Sequence, residues 1–192
     1  MRRTKLGDVY YMQVPNGYKI YQFAYEIPKE GEYIRVFKGL YDEVPNKEYI
    51  AKLVREEHDY IISFSARKAC KIGLAQFIEN YQVPEKFPFP DIMVSFRINA
   101  YEKKVLCINI LGIGDKNAVY EHFYVDSMSK LPKEYCDIKL INAFVPASWI
   151  MYLFDVNFDM TKLTLFHPVP PKENTLKKYQ EIIDNAIYIN KK

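Results

Sequence analysis

The side chains best suited to binding a metal ion are scattered along this sequence. The histidines and cysteines are His58, His122, His167, Cys70, Cys107 and Cys136. A zinc site needs several converging ligands, often in closely spaced pairs, and the sequence contains no such pair. The histidines are therefore expected to be surface or hydrogen-bonded residues, and the sequence predicts no metal site.

Covalent catalysis has equally little support. The sequence has no Gly-x-Ser-x-Gly nucleophile elbow. Cys107 stands in an apolar strand pattern and Cys70 on the apolar side of a predicted helix, so both are expected to be inert core thiols. Cys136 stands in a polar segment and is expected to be the most exposed of the cysteines. Their odd number and wide spacing are typical of reduced thiols in a cytoplasmic protein.

Phosphate-binding loops and acid–base pairs have weak support in the sequence. Gly112-Ile113-Gly114-Asp115 follows a predicted strand, but the third glycine of a dinucleotide-binding fingerprint is missing, so a turn is predicted there. Two carboxylate pairs, Asp155 with Asp159 and Asp42 with Glu43, are expected to be solvated loop residues. The sequence therefore predicts no cofactor and favours a protein that is not an enzyme.

Composition narrows the class of protein. The chain has 192 residues, of which 49% are hydrophobic, so it can form one large domain or two small ones with a substantial core. Its net charge of +3 is too small to indicate a nucleic-acid or membrane partner. No apolar segment suited to a secretory signal or a membrane-spanning helix is present. The 17 Tyr and 12 Phe favour strands and aromatic protein interfaces.

The sequence of the first half of the chain predicts mainly strands joined by turns. Alternating and aromatic-rich runs predict strands at 8–14, 18–25, 33–41 and 60–64, and Asn16-Gly17 predicts a hairpin. Residues 47–53 fit either a helical turn or an edge strand. Ser65 is a candidate N-cap for a helix over 65–79, and the proline-rich segment 84–90 is the best candidate for a linker.

The second half is expected to contain further strands and a terminal helix. Residues 92–98 and 104–111 predict a hairpin, and additional strands are predicted at 119–125, 138–145 and 163–166. The apolar segment 146–154 fits a helix or a strand. An amphipathic helix is predicted from 174 or 175 to 187. Together these patterns predict a strand-rich α+β fold with a curled, SH3-like N-terminal sheet or half-barrel, a second antiparallel region and two main helices. A boundary between 1–83 and 84–192 is predicted, or one continuous domain.

A nucleic-acid-binding barrel is one functional alternative. Basic residues near the N-terminus and aromatic side chains on the first strands would suit base stacking. They are Arg2, Arg3, Lys5, Tyr10, Tyr11, Tyr18, Tyr21 and Phe23. Acids at Glu26, Glu30 and Glu32 interrupt the basic clusters, so these aromatics are expected mainly in the core and on the sheet surface.

The N-terminal segment carries a family resemblance. Lys5-Leu6-Gly7-Asp8 leads into a hydrophobic strand, then a loop with Gly17, then the tyrosine-rich return strand Tyr18–Phe23. Together with Val36-Phe37-Lys38-Gly39-Leu40-Tyr41-Asp42, this pattern resembles the immunity protein 26 family of bacterial polymorphic-toxin systems. The resemblance covers roughly the first 45 residues, under a quarter of the chain.

This resemblance implies a cytoplasmic protein that binds and neutralises a cognate toxin, such as a nuclease, and needs no chemistry of its own. Two alternatives stay open: a nucleic-acid- or peptide-binding module on an SH3-like barrel, and an enzyme whose site assembles only in space. The genes adjacent to this one would distinguish these readings.

A toxin nuclease usually has a basic substrate-binding surface, so an inhibitor should present acids beside aromatic anchors. Two predicted turns carry such residues, which could form one acidic face or could be ordinary solvated loop residues. The candidate binding residues are Glu30, Glu32, Tyr33, Tyr41, Asp42 and Glu43, with Glu26 and Tyr25 beside them.

Overall fold

A computed structural model gives the architecture. It describes residues 3–27, 31–90, 92–99, 104–111, 119–125, 140–142, 147–158 and 173–190. Within these ranges the chain forms nine strands and four helices, so the predicted strand-rich α+β fold is confirmed.

Five strands form an antiparallel sheet in the first half of the chain. They are β1 (Asp8–Val14), β2 (Gly17–Ile27), β3 (Gly31–Val36), β4 (Tyr60–Ser63) and β5 (Ala75–Asn80). Their order is β5-β1-β2-β3-β4, and register shifts occur in β1 and β2 where they pair with β5 and β3. These irregularities increase local twist. The described strands β4 and β5 do not pair with each other, so the sheet is curled rather than closed into a barrel.

Four more strands extend this sheet. They are β6 (Ile92–Asn99), β7 (Lys104–Leu111), β8 (Val119–Val125) and β9 (Leu140–Asn142). The predicted second antiparallel region is present, because β6, β7 and β8 pair in sequence. Strand β9 is parallel to both β4 and β6 and completes the order β5-β1-β2-β3-β4-β9-β6-β7-β8. The strand predicted at 163–166 and the turn at 112–115 lie outside the described residues.

The helices differ from prediction in number and extent. They are α1 (Lys47–Arg55), α2 (Ala66–Lys71), α3 (Ala147–Asp155) and α4 (Glu173–Ile189). The terminal helix is confirmed. The segment 47–53 is helical, and the segment 146–154 is helical from Ala147 onward, so the described residues contain four helices instead of two.

The helix predicted over 65–79 is wrong in its second half. Ser65 does cap α2, accepting a hydrogen bond from the Lys68 amide, but the helix ends at Lys71. Gly73 has φ +75°, a left-handed conformation that ends helices, and the amide of Leu74 donates to Ala69 O. The following residues then pair with β1 as β5. Tertiary pairing has overridden the helical spacing of the apolar residues.

The third predicted strand is also shorter than expected. Strand β3 ends at Val36, whereas the prediction continued to residue 41. Gly39 has φ +91°, which turns the chain, and Tyr41 then returns to β2 through an isolated antiparallel bridge with Tyr18. The segment 37–41 is therefore a loop that the sheet holds at both ends.

The core lies on both faces of the N-terminal sheet. On one face, helix α1 packs Ile50 and Leu53 against Val9, Ile20 and Phe37. The other face carries the larger cluster, which includes side chains of β1, β2, β3 and β4 together with α2, α3 and α4. Burial of this apolar area on both faces is the main stabilising contribution to the fold.

The predicted boundary between 83 and 84 crosses this larger cluster. The ring of Phe154 in α3 lies 5.9 Å from that of Tyr21 and 6.4 Å from that of Phe64. Buried Asp155 accepts hydrogen bonds from the Asn16 amide at 2.7 Å and the Tyr179 hydroxyl at 2.8 Å. Helices α3 and α4 thus share a core with the N-terminal strands, and the division into two domains stays a prediction.

The Gly7-Asp8 turn has a structural role. Gly7 has φ +89°, and a Cβ there would lie 2.5 Å from Tyr81 O. The buried Asp8 carboxylate accepts hydrogen bonds from the Tyr10 hydroxyl, the Lys5 amide and the Asn80 side chain. The turn therefore ties the start of β1 to the end of β5.

We expect Gly7→Ala to lower the free energy of unfolding by roughly 1–3 kcal/mol, because the left-handed backbone is strained and the methyl group meets a backbone oxygen. Urea denaturation measures this. Gly31→Ala is the matched control: Gly31 has φ +114° but nothing lies within 4 Å of its Cβ position. An equal loss in both variants would contradict the role of the Tyr81 contact.

Candidate protein-binding surface

The structure does not bring the predicted binding residues into one face. Glu32 pairs with Glu26 near the end of β2, whereas Tyr41 pairs with Tyr18 near its start. Eight residues of strand separate these positions along β2, a distance of roughly 25 Å. Glu30 lies outside the described residues. The expectation of a single acidic face formed by both turns is therefore wrong for the residues described.

At the Glu26–Glu32 position, both carboxylates already form ion pairs with Arg67. Arg67 Nη1 lies 2.7 Å from Glu32 Oε1, and its Nη2 lies 2.7 Å from Glu26 Oε2. The hydrogen bond from Arg67 lowers the pKa of Glu26. The guanidinium carbon also lies 5.1 Å from the centre of the Phe23 ring. This end of the sheet thus carries a closed cluster of two acids, one arginine and one ring.

Tyr33 is not available as an anchor. Its side chain is 4% exposed, and its ring lies 4.8 Å from that of Phe89. Phe89 also lies 5.3 Å from Tyr25, whose hydroxyl donates to Phe87 O at 2.7 Å. The proline-rich segment predicted as a linker is packed on the sheet here, and it covers the tyrosines at this end.

The remaining predicted residues form a shallow hollow of about 510 Å³ at the other end of the sheet. Its lining is Tyr41, Asp42, Glu43, Pro45 and Tyr49. The rings of Tyr41 and Tyr49 lie 6.0 Å apart at 78°, an edge-to-face arrangement. We call this site the Tyr41–Tyr49 hollow.

Local hydrogen bonds hold the walls of this hollow. The Tyr18 amide donates to Tyr41 O at 2.7 Å, and the Tyr41 amide donates to Tyr18 O at 3.0 Å. The Tyr41 hydroxyl donates to Lys38 O. On the opposite wall, Asn46 caps α1 by accepting from the Tyr49 amide at 2.9 Å. This cap fixes Tyr49 in the first turn of α1, where 48% of the residue is exposed.

A row of tyrosines continues from the hollow across the sheet. The rings of Tyr11 and Tyr18 lie 5.7 Å apart, and Tyr18 is bridged to Tyr41. Tyr11 pairs with Ile20, which makes Tyr18 its diagonal neighbour, and Tyr18 pairs directly with Tyr41, so these three side chains lie on the same face of the sheet. We call Tyr11, Tyr18, Tyr41 and Tyr49 the tyrosine strip. The first three are half-buried, so the surrounding residues hold each ring in place and leave part of it exposed to solvent.

Negative charge is concentrated at the Tyr49 end of the strip. Asp42 and Glu43 are exposed, and no hydrogen bond or ion pair in the described part of the chain engages their carboxylates. The nearby Lys47 is held by Glu79, with its Nζ 2.6 Å from the carboxylate oxygen. Burial raises the pKa of the Tyr41 hydroxyl well above its usual value, and neighbouring Tyr49 and Glu56 raise it further. The tyrosine therefore stays neutral beside these acids.

A buried lysine supports the loop behind the hollow. Lys19 is 0% exposed, and its Nζ donates to Gly39 O at 2.9 Å and Asn157 Oδ1 at 2.8 Å. It thus links the loop 37–41 to the end of α3. Burial lowers the pKa of Lys19 from 10.5 to about 8, and the negative charge of Asp59 opposes only part of this shift.

This shift gives a testable pH dependence. Between pH 8 and 10.5 the unfolded lysine holds a proton that the folded lysine has lost, so stability rises with pH in this window. Relative to Lys19→Met, we expect the wild type to gain about 1 kcal/mol in free energy of unfolding between about pH 7 and pH 9. Urea denaturation of both proteins at each pH measures this gain. Parallel pH profiles would contradict it.

Several members of the strip were not among the predicted binding residues. Tyr49 was missed because 47–53 fitted both a helix and a strand, which left the direction of its side chain open. In the sequence, Tyr11 and Tyr18 belong only to the base-stacking alternative. For that alternative, the structure places Tyr10, Tyr21 and Phe23 in the buried core, so they present no stacking surface.

The residues weighed for metal binding or catalysis lie at separate places in the described part of the chain. Among them, no group of three or more His, Cys, Asp or Glu side chains could hold a metal ion. Asp155 of the predicted Asp155–Asp159 pair is buried and hydrogen-bonded, and Asp159 lies outside the described residues. Cys70 is half-buried, with its Sγ 3.6 Å from Ala75 O.

No helix within the described ranges is long and apolar enough to cross a membrane. The chain matches no protein-family model, no curated protein sequence and no solved structure.

Proposed function

We propose that this protein is an immunity-type inhibitor that binds a cognate bacterial toxin in the cytoplasm, with the tyrosine strip as its binding surface. The observation that carries the proposal is the partly exposed row of tyrosines that ends at two carboxylates without a partner in the described part of the chain. The resemblance of the first 45 residues or so to the immunity protein 26 family supports the choice of partner.

The chemistry of the strip suits a protein partner. Tyrosines supply large, stiff contact areas with a polar tip, and they are enriched at the centres of protein interfaces. Three of the four are anchored by the sheet, which reduces the entropy lost on binding. The acids at one end would repel the phosphates of a nucleic acid and attract a basic protein surface. A nuclease toxin has such a surface where it binds its substrate.

This arrangement implies that the protein inhibits the toxin by covering its substrate-binding surface. A partner seated on the strip would have its basic surface against Asp42 and Glu43, so its substrate could not reach that surface. No bond is made or broken, and the immunity protein needs only affinity and fast association. Charge complementarity contributes mainly to the association rate.

A protection assay tests this proposal. The chain is co-expressed with the product of an adjacent toxin gene, and survival of the host is measured. We expect the wild type to protect and the double variant Asp42→Lys/Glu43→Lys to associate with the toxin roughly tenfold more slowly at low salt. Because both side chains are exposed, its thermal unfolding should match that of the wild type.

The matched control moves the same charge change to another surface. Glu173 and Glu181 are exposed acids on α4, and Glu173→Lys/Glu181→Lys should leave protection and association unchanged. Glu32 is unsuitable for this test because its replacement breaks the ion pair with Arg67. Equal association rates for the two double variants would remove the hollow from the binding surface.

A further inference from the structure

A second site in the same molecule resembles the Tyr41–Tyr49 hollow and already holds an arginine side chain, that of Arg67. At the opposite end of β2, two carboxylates and one aromatic ring surround the guanidinium of Arg67. The hollow offers two carboxylates, Asp42 and Glu43, and two aromatic rings. In the described part of the chain, no cation lies within ion-pair distance of these two carboxylates.

We infer that the Tyr41–Tyr49 hollow receives an arginine side chain of the bound partner. This inference rests on the proposed function and specifies the chemistry of the same surface. The guanidinium would lie against the tyrosine rings, with its N–H groups directed to the carboxylates.

The physical basis is the match between the hollow and a planar cation. A guanidinium is attracted to the face of an aromatic ring and donates paired hydrogen bonds to carboxylates. Lysine carries a compact, strongly hydrated charge that can approach a ring but can neither stack flat on it nor donate the paired hydrogen bonds of a guanidinium, so it should bind more weakly. The open, edge-to-face pair Tyr41 and Tyr49 provides the aromatic walls, and Asp42 and Glu43 provide the acceptors.

Among the described residues, no lysine or arginine forms an ion pair with Asp42 or Glu43. Lys47, at the start of α1, is turned to Glu79 by an ion pair of 2.6 Å. The hydrogen bond to Glu79 also raises the pKa of Lys47, so this lysine keeps its charge in that pair. The negative charge of Glu56 reaches Tyr41 as well, which adds to the attraction for a cation.

The experiment uses small probes and needs no toxin. The intact chain, labelled on its tyrosine rings, is titrated with N-acetyl-arginine amide and, separately, with its uncharged isostere N-acetyl-citrulline amide at matched ionic strength. NMR shifts of the Tyr41 and Tyr49 rings report binding. We expect saturable shifts with the arginine probe, weaker ones with N-acetyl-lysine amide and none with the citrulline probe.

Variants then separate the two parts of the site. Asp42→Asn/Glu43→Gln should weaken arginine binding about two- to fivefold per carboxylate. Tyr49→Phe keeps the aromatic ring and should bind like the wild type, whereas Tyr49→Leu should bind about two- to fivefold more weakly. Tyr49 is exposed, so neither change should affect folding.

The outcomes also separate this inference from the proposed function. It is overturned if citrulline or lysine amide shifts the same rings as strongly as arginine amide, if arginine amide causes no shift, or if Tyr49→Leu binds it like Tyr49→Phe. Toxin protection that depends on Tyr49 alongside any of those results would leave the proposed function standing. Arginine binding without any toxin partner would instead support the site and remove the proposed function.

Discussion

Arg35→Ala should lower the free energy of unfolding by about 3–5 kcal/mol, the largest single-residue effect on stability that we expect in this chain. Arg35 is 0% exposed in β3, and its guanidinium carbon lies 4.4 Å from the centre of the Phe87 ring. Its N–H groups donate to Gln22 Oε1 at 2.8 Å and to the Glu56 carbonyl at 3.2 Å. Truncation leaves both a cavity and buried acceptors without donors.

The Arg35 guanidinium is surrounded by carbonyl oxygens, which accept its hydrogen bonds, and by the rings of Phe37 and Phe87. Burial lowers its pKa to about 10, so it stays protonated at neutral pH. The guanidinium connects β2, β3 and the end of α1, and Phe87 brings the proline-rich segment into the same contact. Removing it should therefore loosen the packing of α1 on the sheet as well as lower stability.

Thermal and urea denaturation of Arg35→Ala measure this effect, and Arg67→Ala is the matched control. Arg67 also contacts an aromatic ring and makes two ion pairs, but its side chain is 40% exposed. Exposed ion pairs contribute little because water and salt screen them. We expect Arg67→Ala to lower the free energy of unfolding by only a small fraction of the Arg35→Ala effect. Similar losses in the two variants would contradict this account of the buried arginine.

For the proposed toxin complex, Tyr49→Ala should increase the dissociation rate about 30-fold or more, which corresponds to about 2 kcal/mol of binding free energy. The reason is that Tyr49 is the most exposed member of the tyrosine strip and forms one wall of the hollow. Truncating an aromatic anchor acts mainly on dissociation, whereas reversing the charges of Asp42 and Glu43 acts mainly on association.

Tyr188→Ala is the control for this prediction. Tyr188 is 62% exposed near the end of α4, so it presents at least as much tyrosine surface as Tyr49. Its truncation should leave the dissociation rate unchanged. A complex that dissociates equally fast with either variant would show that the strip is not the energetic centre of the interface.

Much of the fold follows from local patterns in the sequence. Asn16-Gly17, strand alternation and the amphipathic stripe of α4 each depend on nearby residues, and each predicted its element correctly. The false helix after Lys71 shows the limit of such patterns. Apolar residues at helical spacing extend through Ile78, but Gly73 turns the chain and the edge of β1 provides hydrogen-bond partners for β5. Pairing between distant segments cannot be read from spacing.

The proposed binding surface was predictable only in part. Tyr41, Asp42 and Glu43 are adjacent in sequence and were identified as aromatic and acidic residues in a turn. Their separation from Glu32 depends on how β2 runs across the sheet, and the neutralisation of Glu32 depends on Arg67, which is 35 residues away in sequence. Charge counts alone therefore overestimate the negative surface at that end.

The most direct test of the proposed function is a binding measurement with purified components. The intact chain is titrated calorimetrically with the product of its adjacent toxin gene, and toxin activity is followed in the same mixtures. We predict saturable binding that abolishes toxin activity, with Tyr49→Ala at least about 30-fold weaker than both the wild type and Tyr188→Ala. A wild-type chain that neither binds nor inhibits that toxin would contradict the proposed function.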